Sequence, residues 1–163
     1  MIRTVQTEII TETIKKMCIE ANYSLSSDMV KAMRKAEEKE ESVLGKQILA
    51  QLQDNLEIAA SDMIPICQDT GMAVVFLEVG QDVHFEGGSF EDAVNEGVRR
   101  GYTEGFLRKS VVGDPILREN TKDNTPAVLH IRIVEGDRVK IKVAPKGFGS
   151  ETVSYTHLRA HET

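Results

Sequence analysis

The chain has 163 residues, a length that suits one domain around a single core. Its 40% hydrophobic and 28% charged residues are ordinary for a globular protein, and a formal net charge of −6 argues against general phosphate-backbone binding, which needs a basic surface. No apolar run approaches the roughly 20 residues that span a bilayer, the N-terminus has no signal pattern, and two cysteines are too few for a disulfide scaffold, so a cytoplasmic chain with both thiols reduced is expected.

The first 60 or so residues read as helical. Val5, Ile9, Ile14, Met17, Cys18 and Ala21 recur at helix spacing, which places Cys18 on an apolar stripe as a buried small hydrophobe. Ser26, Ser27 and Asp28 are good caps for a second helix with Val30, Met33 and Ala36 inward. The charged run after it, RKAEEKEE, is a solvated face and helix end. A third helix over residues 42–60 carries Leu44, Ile48, Leu52 and Leu56 at i, i+4 spacing.

The texture then changes. Pro65 ends helical character and biases Ile64 towards an extended conformation. Residues 72–79, MAVVFLEV, are nearly all apolar and rich in β-branched side chains, so they predict a buried strand. The intervening IPICQDTG is a helix-to-strand connection, the kind of loop that often carries function. Ser89 and Asp92 suggest a capping box, opening a helix to about residue 106. Gly97, Gly101 and Gly105 recur every four residues in that helix. Each interior glycine costs about 1 kcal/mol relative to alanine, so the stripe predicts another backbone crossing close by, or a helix that ends near Gly105.

A long polar connection follows, RKSVVGDPILRENTKDNTP, which is either a functional loop or a mobile one. Residues 127–134 and 138–143 alternate like strands, and Glu135-Gly136-Asp137 predicts a hairpin joining them as an antiparallel pair. The glycine-rich APKGFGSE has backbone N–H groups that can cradle an anion.

On the residues alone, Cys67 has several uses. A nucleophile needs a base; His84 and His130 are candidates, but nothing aligns either with it. A zinc ligand lacks a neighbouring Cys or His at the usual spacing. An iron–sulfur ligand needs cysteines from elsewhere. An inert loop thiol is the remaining reading.

PICQDTGMAVVF, GQDVH, EGVRRGYTEGFLRKSVVGDP, KDNTPAVLH and KVAPKGFGSE together resemble the class I, iron–sulfur-dependent fumarate hydratases, and also the alpha subunit of L-tartrate dehydratase. The resemblance covers about residues 1–151 and implies a [4Fe-4S] cluster held by three cysteines, with one iron open to substrate as a Lewis acid. It implies that Cys67 is the first metal ligand. Gln68 and Asp69 then lie against a small dicarboxylate substrate, with Asp69 the acid in the hydration direction. Arg108 matches the family's arginine that grips a substrate carboxylate, a role that suits a planar, always-charged fork. Gly147 and Gly149 are expected as backbone contacts in the glycine-rich loop, where Phe148 departs from the family's usual glycine.

Two further cysteine ligands, the general base and other substrate contacts have no counterpart in the sequence. The resemblance places them further along a longer alpha subunit and in a beta subunit, so a hetero-oligomer is expected. The tail over residues 152–163 does not continue the family pattern and resembles translated adapter sequence, so it is expected to add no element to the fold. The chain therefore reads as a truncated hydro-lyase part, inactive alone, that serves fumarate–malate interconversion. The alternatives are tartrate or another dicarboxylate, or a non-enzymatic interaction or redox-sensing domain using Cys67. The expected fold is α+β: a helical N-terminal layer, then a mixed or antiparallel sheet of at least three strands, with the 89–106 helix packed on it.

Overall fold

The computed structural model describes residues 2–147; Phe148, Gly149 and the tail over 152–163 lie outside the described residues. In chain order the elements are β1 (Arg3–Gln6), α1 (Thr7–Tyr23), α2 (Ser27–Lys39), α3 (Val43–Asp62), β2 (Met72–Gly80), β3 (Val83–Glu86), α4 (Phe90–Glu104), β4 (Val128–Val134) and β5 (Val139–Lys146). Helices and mixed sheets share one core, so the fold is α+β as expected. Among the described residues, no helix is long and apolar enough to cross a membrane.

The larger sheet has the order β4-β2-β5. Strand β2 runs parallel to β4 and antiparallel to β5, with Phe76 opposite both His130 and Lys142. This corrects the predicted hairpin: β4 and β5 run in opposite directions but are not neighbours. The reason is burial. β2 turns Ala73, Val75, Leu77 and Val79 into the core, and the centre of the sheet is where an apolar strand removes most surface from water. The short turn at Gly136 instead crosses the end of β2. Gly80 donates its N–H to Arg138 and Asp82 donates to Gly136.

Two short strands are absent from the sequence reading. β1 and β3 pair in parallel, with Val5 opposite Phe85. Val5 thus belongs to a strand and not to the first helix, and Ile9 on α1 is 59% exposed. Four-residue strands are too short to show a period.

Helix α1 buries Ile10, Ile14 and Cys18 against Val94, Val98 and Tyr102 of α4, in the same cluster as the inward face of β2. Ser89 caps α4, its hydroxyl accepting the Asp92 N–H at 3.3 Å. The glycine stripe is where α1 crosses. A Cβ on Gly97 would lie 2.7 Å from the Thr11 carbonyl oxygen, and one on Gly101 would lie 2.8 Å from Cys18 Cβ. The stripe also ends the helix, since Gly105 is its C-cap and accepts the Tyr23 hydroxyl. Cys18 is fully buried, and burial pushes its thiol up to about 12. It is an inert packing residue, as the stripe predicted.

Helices α2 and α3 pair with each other, and here the inward face predicted for α2 needs correction. Val30 and Met33 are only half-buried and Ala36 is exposed. On α3 the residues Leu44, Ile48 and Leu52 face outward, while Leu49, Gln53 and Leu56 are half-buried; only Ala59 is buried. An apolar period identifies a face; it does not supply a neighbour to cover that face.

Candidate active site

Three segments meet at the start of β2: the 63–71 loop, the connection after α4, and the end of β5. Met63, left-handed at φ 54°, terminates α3. Ile66 is then pinned on both sides. Its N–H donates to the Asn22 carbonyl at 2.8 Å, and its carbonyl accepts from Asn55 Nδ2 at 3.0 Å.

Beyond this anchor Cys67 and Gln68 are exposed and Asp69 is half-buried. The Asp69 N–H donates to Cys67 Sγ at 3.4 Å, and Asp69 Oδ1 accepts the Gly71 N–H at 3.2 Å. Thr70 is buried; its hydroxyl donates to the Arg108 carbonyl at 3.0 Å, and its own carbonyl accepts the Tyr102 hydroxyl at 2.8 Å. Burial pushes the Tyr102 hydroxyl pKa upward, which keeps it a neutral donor. Gly71 sits at φ +61°, with the Lys146–Gly147 backbone where a side chain would be: a Cβ would lie 2.1 Å from the Lys146 oxygen and 2.6 Å from the Gly147 nitrogen.

The structure therefore brings Cys67, Gln68, Asp69, the Arg108 backbone and Gly147 to one place. The Arg108 side chain is exposed, and Gly149 lies outside the described residues. The two candidate bases are not brought in. His84 lies on β3, and His130 on β4 stacks on Phe76 with ring centroids 4.9 Å apart.

Three site residues escaped sequence reasoning: Thr70, Tyr102 and Asn124. Asn124 is fully buried within the long polar connection, its Oδ1 accepting the Ser110 N–H at 2.7 Å and its Nδ2 donating to the Gly71 carbonyl at 3.1 Å. Thr70 and Asn124 sit inside motifs that invite attention, CQDTG and KDNTP, yet their importance lies in contacts 38 and 53 residues away. That connection is thus an ordered loop. Besides Asn124, it is held by a bridge between Val112 and Asn120 and by Asp114, which accepts the Ile116 and Leu117 N–H groups.

Tyr102→Phe leaves the Thr70 carbonyl without its buried donor. The expected cost is about 1–2 kcal/mol, read as a lowered urea midpoint with unchanged m-value.

Asp123, next to Asn124, ties the same loop to α4. Its Oδ1 accepts the Thr125 hydroxyl and N–H, and its Oδ2 accepts Arg99 Nε at 3.0 Å. Burial alone would raise this carboxyl, but the Thr125 hydrogen bonds and Arg99 outweigh it and hold the group at about 2. The folded value lies below the unfolded one, about 3.9, so the stabilisation is present above pH 4. It is lost as pH falls from about 4 through about 2. With a discount for partial exposure this is about 1–2 kcal/mol. Asp123→Asn is expected to lower stability at pH 7 and to flatten that part of the stability–pH curve.

Among the described residues, no group of three or more Cys, His, Asp or Glu side chains is placed to hold a metal ion. Cys67 is an exposed free thiol whose sulfur receives the Asp69 backbone N–H. It fits one ligand position. Cys18, buried on α1, fits none.

The sequence pattern described as fumarate hydratase (Fumerase) matches residues 11–162. A Methanocaldococcus jannaschii protein provisionally named L(+)-tartrate dehydratase subunit alpha is 34% identical over 89% of this chain and 53% of its own length. The anaerobic class I fumarate hydratase of Escherichia coli K12 is 37% identical over 69% of this chain and 21% of its own length. Fumarate hydratase 2 of Leishmania major is 30% identical over 94% of this chain and 27% of its own length. The chain thus spans about half the length of the first of these relatives and between a fifth and a third of the other two.

Proposed function

The chain belongs to the fumarate hydratase family, and from that premise we propose that it forms part of an iron–sulfur hydro-lyase that adds water to fumarate to give malate, reversibly. The observation that carries the reading is local. An exposed thiol stands two residues from a carboxylate, on a loop whose Thr70 is hydrogen-bonded to the backbone of an exposed arginine.

In this reading Cys67 supplies one thiolate ligand to a [4Fe-4S] cluster, and the remaining ligands come from outside the described residues. When bound, the cluster offers a Lewis-acidic iron for the hydroxyl and carboxylate of the substrate. The chain's own residues bind and orient the dicarboxylate and deliver a proton. The Arg108 guanidinium forms two parallel hydrogen bonds to a carboxylate. The Gln68 amide donates to a carboxylate oxygen, and the Gly147 N–H group is a further donor in the same site. Asp69 in its acid form gives its proton to one alkene carbon as hydroxyl adds to the other; in the reverse direction its carboxylate takes that proton back. Water and fumarate balance malate with no other reactant.

The complete site takes in a beta subunit and a hetero-oligomer, a reading supported by the alpha-subunit name of the M. jannaschii relative. That name also favours a second substrate, tartrate, whose dehydration makes the same demands on Arg108 and Asp69. We place the enzyme in the cytoplasm, where thiols stay reduced.

The test is Cys67→Ser in the full-length protein, assembled anaerobically with its partner subunit. Loss of both the cluster's visible absorbance and malate formation is expected; survival of both overturns the proposal. Turnover on fumarate against tartrate separates the two substrates.

A further inference from the structure

We infer that Asn124 is a positioning residue that sets the separation between the thiol loop and the arginine loop, and so the span over which a dicarboxylate is held. The functional half of this inference rests on the hydro-lyase reading; the structural half does not. Ser110, whose N–H donates to Asn124 Oδ1, is two residues after Arg108; the Val111 N–H donates to the same oxygen at 3.2 Å. Gly71, whose carbonyl accepts from Asn124 Nδ2, is two residues after Asp69. One side chain therefore holds the backbone beside the proposed proton donor and the backbone beside the proposed carboxylate grip.

A carboxamide carries its acceptor and its donors on two separate atoms, so one short side chain can face two loops at once. Aspartate can serve the arginine loop but not the Gly71 carbonyl. Leucine serves neither. Asn124 is fully buried, so water does not substitute for a lost bond. Its backbone lies at φ +65°, a left-handed conformation that asparagine adopts more readily than most residues. A second tie, from the Thr70 hydroxyl to the Arg108 carbonyl, spans the same gap.

The chemistry of the amide permits a test that a merely structural residue would fail. Asn124→Asp keeps the acceptor for Ser110 and Val111 and removes the donor to Gly71. In the 163-residue chain, amide exchange measured by NMR should speed up about tenfold at Asp69 and Gly71, as loss of a hydrogen bond worth about 1.4 kcal/mol predicts. Exchange at Ser110 and Val111 should stay near wild type. Asn124→Leu should speed up both sets. A rise of equal size at both loops in Asn124→Asp overturns the inference, as does no change at either.

Thr70→Val covers the case in which Asn124→Asp does not fold. It cuts only the second tie, so Ser110 and Val111 should keep their protection; its loss there shows that Asn124 is not the holder. In the assembled enzyme Asn124→Asp should raise KM for fumarate about tenfold and change kcat less; an unchanged KM overturns the positioning role. The exchange pattern needs neither cluster nor turnover. If the hydro-lyase reading fails, wild-type enzyme lacks hydratase activity while the exchange pattern persists.

Discussion

Gly71→Ala is expected to destabilise the chain by about 3 kcal/mol and to release the end of β5 from the thiol loop. Two costs add. A left-handed conformation costs a non-glycine residue roughly 1–2 kcal/mol, and Gly71 sits at φ +61°. Overpacking a filled site costs roughly 1–3 kcal/mol more, because the new methyl would lie 2.1 Å from the Lys146 oxygen. The obstacle is backbone, so no rotamer change relieves it. Urea unfolding reads the stability. Faster amide exchange at Lys146 and Gly147 reads the release. A variant within about 0.5 kcal/mol of wild type, the range of ordinary surface substitutions, would show that the two backbones do not touch there.

Gly101→Val should be comparably costly, for a different reason. In an isolated helix this change is favourable by a few tenths of a kcal/mol, since glycine is the poorer helix former. Here α1 occupies the space: Cys18 Cβ is 2.8 Å and the Lys15 carbonyl oxygen 3.0 Å from where a Cβ would stand. Valine adds two methyl groups to that contact and pushes α1 away from α4. The expected loss is about 3 kcal/mol, at the upper end for overpacking. Gly101→Ala should lose only about 1 kcal/mol, because its single methyl meets a partly offsetting gain in helix propensity. Thermal unfolding of the wild type beside the Gly101→Ala and Gly101→Val variants would show the graded loss; equal midpoints would mean that the helices are not in contact there.

Both predictions depend on distances between segments far apart in sequence, and that is where the reading of the sequence divides. Whatever depends on near neighbours was legible. The apolar run from Met72 predicts β2, Ser89 and Asp92 predict the start of α4, the glycine stripe predicts a close crossing, and the position of Cys18 predicts an inert buried thiol. The motif CQDTG singles out Cys67, Gln68 and Asp69 because a thiol, an amide and a carboxylate stand together between a proline and a glycine.

Whatever depends on partners across the chain was not legible. A short turn at Gly136 suggested a hairpin, but competition for the buried centre of the sheet puts β2 between β4 and β5. Leu44, Ile48 and Leu52 recur at helix spacing, yet no described element covers them. Asn124 looked like one polar loop residue among many, and only the folded chain gives its amide a partner in each of two loops. By itself the sequence determined which residues prefer to be helical, extended or turned, because those preferences are set by a residue and its near neighbours. The tertiary structure alone decided which strands pair and which polar groups join the site, because buried hydrogen bonds and strand positions are settled by competition over the whole molecule.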